Sequence, residues 1–165
     1  MSRAPAPLVS IRRCVADDAP RLTTIAHSAK RHWGYPETFL RMWAADLTLT
    51  PAFVTDHHVY GAISAGRLVG MYALAGELPQ MELEHFWVTP EAMGAGVGRR
   101  LMDHARRVAG AHGARTIRIA SDPNAEGFYL RMGARRVGAE ASTPPGRTLP
   151  VLVLDVGDAS TASTK

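Results

Sequence analysis

The chain has 165 residues, 46% of them hydrophobic and 21% charged, with 15 Gly, 11 Pro and a single Cys, the proportions of an ordinary globular domain built on one core. Lone Cys14 excludes an intramolecular disulfide framework and a multi-cysteine zinc site, and apolar runs such as 151–154 are far short of the ~20 residues that cross a bilayer. The net charge of +4 invites a polyanionic partner, but six arginines (99, 100, 106, 107, 115 and 118) oppose Asp103 alone between Gly96 and Arg118, so the excess belongs to one stretch.

Alternation over 8–13, with Val9 and Ile11 against Ser10 and Arg12, predicts a first strand. Asp17 or Asp18 then caps a helix in which Leu22, Ile25, Ala26, Ala29 and Trp33 recur at helical spacing, ended by Gly34. Pro36 opens a short second helix to about residue 44, and residues 45–56 carry no decisive pattern. Two strand-like runs, 59–63 and 68–75, flank Ser64-Ala65-Gly66-Arg67 and read as a hairpin. Residues 81–89 form the next strand. A long helix follows the glycines at 94–98, with Leu101, Ala105, Val108, Ala109 and His112 on one face and Gly113 as its stop. A strand at 114–120, a helix from Asp122-Pro123 to Met132, and strands at 135–140 and 149–156 around a Pro-rich loop complete the order. Residues 1–7 and 158–165 read as flexible tails around a domain at 8–157, and the first tail lacks the apolar segment of a signal peptide. Hairpins mixed with βα crossovers predict an α+β, three-layer domain with a mixed, mostly antiparallel sheet, rather than a doubly wound one.

The run Met93-Gly94-Ala95-Gly96-Val97-Gly98-Arg99-Arg100 joins a strand to a helix through glycines at alternate positions. Such a turn lets a ligand approach the backbone, and the free amides of the helix start favour an anion. Two arginines in the first turn oppose the helix dipole unless an anion offsets them. The glycine spacing does not fit a dinucleotide fingerprint, and the Gly-Lys-Ser/Thr of a P-loop is absent.

Residues Leu83-Glu84-His85-Phe86-Trp87-Val88-Thr89-Pro90, followed by Gly94-x-Gly96-x-Gly98, resemble motif A of the GCN5-related N-acetyltransferases (GNAT), usually written Q/R-x-x-G-x-G/A. Ala125, Phe128, Tyr129 and Gly133 resemble motif B of the same family, and the element order agrees over about residues 8–157. Met93 stands where Gln or Arg is usual, Ala134 where Phe is usual and Asp122 where many members have Asn.

The resemblance implies a sheet splayed at the motif A strand, acetyl-CoA as cosubstrate and transfer of its acetyl group to a primary amine of a small molecule or peptide, through a tetrahedral intermediate. Phe86, Trp87 and Val88 would contact pantetheine and acetyl group, with the Val88 amide as oxyanion donor. Met93, Gly94, Ala95, Gly96, Val97, Gly98 and Arg99 would cradle the pyrophosphate, with Asn124 as a further contact. Alternation puts Glu82 and Glu84 on one strand face and His85 on the other, where it reads as structural. Glu84 is the first choice for the base and Glu82 the second; both also read as solvent-facing carboxylates. Tyr129 is the general acid for the departing thiolate, or a core tyrosine in the stripe of Ala125, Phe128 and Met132. The helix junction at 27–35 would line the acceptor site through His32, Trp33 and Tyr35, with Glu84, although Trp33 reads equally as core. Lys30 lies in the same junction, and Arg147 is a candidate for an acidic substrate group. His57 and His58 have no third ligand nearby, so no metal is expected. A cytoplasmic enzyme with no nucleic-acid or membrane partner follows, with a homodimer left open. The alternative is a catalytically weak CoA-binding sensor of the same fold.

Overall fold

Strand β1 (Val9–Arg13) pairs antiparallel with β2 (His58–Ser64), Val9 opposite Ser64 and Arg13 opposite Tyr60. In this computed structural model, which describes residues 8–157, the two expected tails lie outside the described residues. After a 3₁₀ turn at Ala16–Asp18, α1 (Ala19–His32) buries Leu22, Ile25, Ala26, Ala29 and Lys30, while Trp33 sits at its C-cap, 39% exposed, outside the stripe expected for it. Helix α2 (Glu37–Met42) follows. The undecided stretch contains α3 (Pro51–Asp56): the Thr50 hydroxyl accepts from the Phe53 amide at 3.1 Å, with Pro51 in the first turn. Thr-Pro was a readable start signal; six residues are too few for a periodicity to show.

Strands β2 and β3 (Arg67–Ala75) enclose the expected hairpin turn, with positive φ at both Ala65 and Gly66, the type I′ geometry that suits strand twist. Strand β4 (Gln80–Val88) leads through a 3₁₀ turn to α4 (Val97–Ala111). Strand β5 (Thr116–Ala120), α5 (Glu126–Arg131), β6 (Arg135–Ala141) and β7 (Thr148–Asp155) complete the order. The helix expected from Asp122 to Met132 is divided: Pro123–Ala125 is 3₁₀, with the Asp122 carboxylate accepting from the Asn124 amide at 2.8 Å, and only 126–131 is α-helical. Pairing Asp103 with Arg107, one turn apart on α4, would be natural, yet neither makes an ion pair among the described residues.

The sheet is seven-stranded, in the order β1-β2-β3-β4-β5-β7-β6. The β4–β5 pair is parallel; β1–β2, β5–β7 and β6–β7 are antiparallel, so the fold is α+β with a mostly antiparallel sheet. Among the described residues, packing divides into two compact units: 8–73 with His85–Leu101, and Leu74–Glu84 with 102–157. The division falls within β3, β4 and α4, whose two ends serve different sets of buried side chains. In the first unit, Leu22, Ile25, Leu40, Trp43, Leu47, Val54, Val59, Leu68 and Met71 form one cluster. In the second, Met102, Ala105, Ala109, Ile117, Ile119, Tyr129, Leu152 and Leu154 are buried.

Candidate active site

In the first unit the site begins with a glycine that is not part of any motif. A Cβ on Gly70 in β3 would lie 3.0 Å from Leu101 Cδ1, 3.1 Å from the Trp87 carbonyl oxygen and 3.3 Å from Val97 Cγ1. Hydrogen there lets the end of β4 and the first turn of α4 close on β3. The Thr89 amide donates to the Val69 carbonyl at 2.8 Å, and because successive amides along a strand alternate in direction, the Val88 N–H points away from β3.

The chain then enters the glycine turn, where Gly94 (φ 80°) and Gly96 (φ 82°) occupy the left-handed region and a Cβ on either would meet nothing within 4 Å. Glycine is required there by conformation, and the space beside it is open. Arg100 N donates to Gly96 O at 3.2 Å, so the amides of Val97, Gly98 and Arg99 precede that first helical bond. Ala95, Arg99 and Arg100 are exposed, and neither arginine has an ion-pair partner among the described residues. Fifteen residues of helix with two unneutralised cations at the positive end form a centre suited to an anion.

The other face of the same strand end meets an aromatic cluster. The Trp87 indole N–H donates to His85 Nδ1 at 3.0 Å, which places the imidazole proton on Nε2. Phe53 of α3 stands edge-on to His85, its centroid 5.5 Å away. Burial holds the His85 pKa down to about 4, with Asp46 opposing the shift. Its structural role agrees with its place in the strand alternation. The unfolded imidazole takes a proton near pH 6.5 and the folded one only near 4, so between these values the unfolded state binds more protons and stability falls as pH falls. Thermal denaturation at pH 7.5 and pH 5 should therefore show a smaller drop in Tm for His85→Gln than for the parent protein.

Tyr35 turns into this cluster, edge-on to Trp43 at 4.9 Å. The other two aromatic positions expected to line an acceptor site, His32 and Trp33, pack on each other at the exposed end of α1, 5.6 Å apart. The sequence places Trp43 in the apolar stripe of the second helix, with Phe39 and Leu40, but gives no sign of Phe53, whose helix is too short to announce which face turns inward.

The second unit carries the carboxylates and the tyrosine. The β4–β5 ladder pairs Gln80 with Thr116, Met81 with Ile117 and Glu82 with Arg118; among the described residues, Leu83 and Glu84 of β4 and Ile119 and Ala120 of β5 lie past its end. Arg118 reaches Glu82 at 3.3 Å and Glu140 of β6 at 2.7 Å. Glu82 is thereby held in an ion pair, whereas Glu84 is exposed. Tyr129 is buried, and its phenol pKa is raised by burial and by the negative charge of Asp122. Asp122 accepts from the Asn124 side-chain amide at 3.0 Å and meets Arg147 at 3.4 Å, while Arg147 also donates to the Ser142 hydroxyl at 2.9 Å. Arg147, a candidate for binding a substrate acid, is thus engaged within the protein. Arg106 is engaged as well, donating to the Met132 carbonyl at 2.8 Å beyond the end of α5. Cys14 is buried and its thiol pKa is pushed up to about 12, which leaves it inert. No group of three His, Cys, Asp or Glu among the described residues is arranged to hold a metal ion.

The glycine turn and the cationic start of α4 are together suited to an anionic ligand. The chain matches a family model described as an acetyltransferase (GNAT) domain over residues 25–143, and it belongs to the GNAT acetyltransferase family, whose members are acyltransferase enzymes. Its fold is similar to that of a PaiA N-acetyltransferase from Thermoplasma acidophilum in complex with coenzyme A (TM-score 0.76, 16% identity, 90% of this chain and 99% of that one). It is similar also to a GCN5-related N-acetyltransferase from Rhodopseudomonas palustris (0.76, 21%, 94% and 99%). An IAA acetyltransferase from Bacillus cereus matches as well (0.63, 20%, 90% and 99%).

Proposed function

We propose that the protein transfers the acetyl group of acetyl-CoA to a primary amine of a small molecule or peptide. The observation that carries this reading is the end of the β4–β5 ladder at Glu82 and Arg118, with the Val88 amide directed away from β3 and the glycine turn next in the chain. A pantetheine arm can complete main-chain pairing that the sheet itself gives up, and a pyrophosphate can take the amides at the start of α4. The neighbour crystallised with coenzyme A supports the same cosubstrate.

The roles follow from the chemistry. The Val88 N–H stabilises the negative charge that develops on the thioester carbonyl oxygen. The exposed carboxylate of Glu84 takes the proton of the attacking amine, directly or through water. As the amine nitrogen bonds to the acetyl carbon and the carbon–sulfur bond breaks, Tyr129 protonates the departing thiolate. Glu82 falls to a structural role because Arg118 already neutralises it, so the first choice of base is favoured over the second. Arg99 and the amides of the turn bind phosphate, with Met93 contributing main chain only. No helix among the described residues is long and apolar enough to cross a membrane, and a cytoplasmic enzyme fits this cosubstrate.

Thiol release from acetyl-CoA over a broad panel of amines tests the reading. We expect Glu84→Gln to lower kcat/KM by about 10²-fold at unchanged acetyl-CoA affinity, and Glu82→Gln to act on thermal stability more than on rate. Arg99→Glu should weaken acetyl-CoA binding about tenfold or more by calorimetry. Binding of acetyl-CoA without turnover on any amine would instead favour a CoA-sensing module.

A further inference from the structure

Lys30 is a lysine that α1 carries inward, with only 8% of its surface exposed. Its Nζ lies 4.6 Å from the centroid of the Trp43 ring, 5.0 Å from that of Tyr35 and 6.0 Å from that of Trp87. Trp43 and Tyr35 stand perpendicular to each other, at 89°, so the ammonium faces a box of π-systems. Boxes of this kind are how proteins recognise ligand cations; here the cation is supplied by the chain. The four residues come from four places: the last turn of α1, the loop after it, the C-cap of α2 and the end of β4.

Trp87 is fixed from two sides. Its indole N–H is taken by His85 Nδ1 at 3.0 Å, and its ring lies by the ammonium. Its main chain continues into the Thr89 amide, which is bonded to the Val69 carbonyl of β3. The Val88 N–H belongs to the peptide unit that starts at the Trp87 carbonyl, so the setting of this ring and the direction of that amide meet at one Cα.

We propose that Lys30 is a positioning residue for acetyl transfer: its ammonium, boxed by Tyr35, Trp43 and Trp87, fixes Trp87 and through it the Val88 amide that meets the acetyl group. The proposal rests on the acetyltransferase reading. It separates two functions along the chain. The glycine turn holds the nucleotide, and the boxed strand end holds the acetyl group, so loss of the cation should affect acetyl-CoA and CoA unequally. A lysine that merely props the helices would affect both ligands alike or neither.

The experiment compares Lys30→Met, which keeps the stem and removes the charge, with Lys30→Arg, which keeps a cation. Calorimetric affinities for acetyl-CoA and for CoA are measured alongside near-ultraviolet circular dichroism of the tryptophans. We expect Lys30→Met to alter the tryptophan bands, to weaken acetyl-CoA about tenfold while leaving CoA within about twofold, and to lower kcat on the best amine about tenfold. Lys30→Arg should recover most of each loss. Should Lys30→Met not fold, Trp43→Phe, which thins the box and keeps its bulk in part, is read for the same acetyl-CoA to CoA ratio. An unchanged ratio with altered tryptophan bands overturns the proposal, as does a parent protein that binds acetyl-CoA no more tightly than CoA. A parent protein that binds neither ligand overturns the acetyltransferase reading first, and the role of Lys30 with it.

Discussion

Replacing Tyr129 by Phe is expected to lower turnover about 10²-fold while changing acetyl-CoA affinity less than about threefold. The substitution removes one oxygen from a buried ring and leaves its packing on α5 in place, so stability should change by no more than about 1 kcal/mol. Burial and Asp122 both disfavour the phenolate. The group therefore keeps its proton throughout the pH range in which an amine acceptor is usable, as the proposed role of acid for the departing thiolate requires. The raised pKa also fixes what the pH profile must look like. A fall in kcat between pH 8 and 9.5 cannot arise from Tyr129, and Tyr129→Phe should leave the shape of the profile unchanged while lowering it throughout. Wild-type turnover in the variant would assign Tyr129 to the core alone.

Replacing Gly70 by Val is expected to have the largest effect on stability. Its first added carbon already meets Leu101, Val97 and the Trp87 carbonyl at 3.0–3.3 Å. Two of these are side chains that can shift; the third is backbone and cannot rotate away. Overpacking of this kind costs about 1–3 kcal/mol, which in a chain of this length lowers Tm by about 2–4 °C per kcal/mol. Gly70→Ala should show a smaller loss of the same sign. Because the displaced groups are the end of β4 and the first turn of α4, acetyl-CoA affinity should fall together with Tm. Urea denaturation and calorimetry on the two variants check both effects. A Gly70→Val protein with parental stability would mean that β3 yields at this point without consequence.

The elements legible in the sequence were those with a long period or a sharp boundary. Helices α1 and α4 show an apolar stripe over several turns, and the hairpin is announced by its turn residues. The short helices were harder to read. Helix α3 rests on Thr50 and Pro51 and on a buried Val54, and α5 is a single α-helical stretch behind a 3₁₀ turn. Neither is long enough for periodicity to separate helix from loop. Within the site, the glycine turn was legible because positive φ at Gly94 and Gly96 requires glycine. Gly70 was not legible, because its reason is a neighbour distant in sequence.

By itself the sequence determined the order of elements apart from α3, the mixed α+β class, the glycine turn and the family resemblance, since all of these reside in local chemistry and spacing. Tertiary structure alone decided how the charges were spent. Arg118 went to Glu82 and Glu140, Arg106 to the Met132 carbonyl and Arg147 to Asp122, while Arg99 and Arg100 kept their charge exposed at the start of α4. Beside the glycine turn, the net charge that suggested a polyanion is carried by these two arginines. Tertiary structure also put Lys30 among three rings and left Glu84 exposed while Glu82 was paired. Partners of this kind are separated by tens of residues in the chain, and a pairing energy depends on distance through space, which only the folded chain sets.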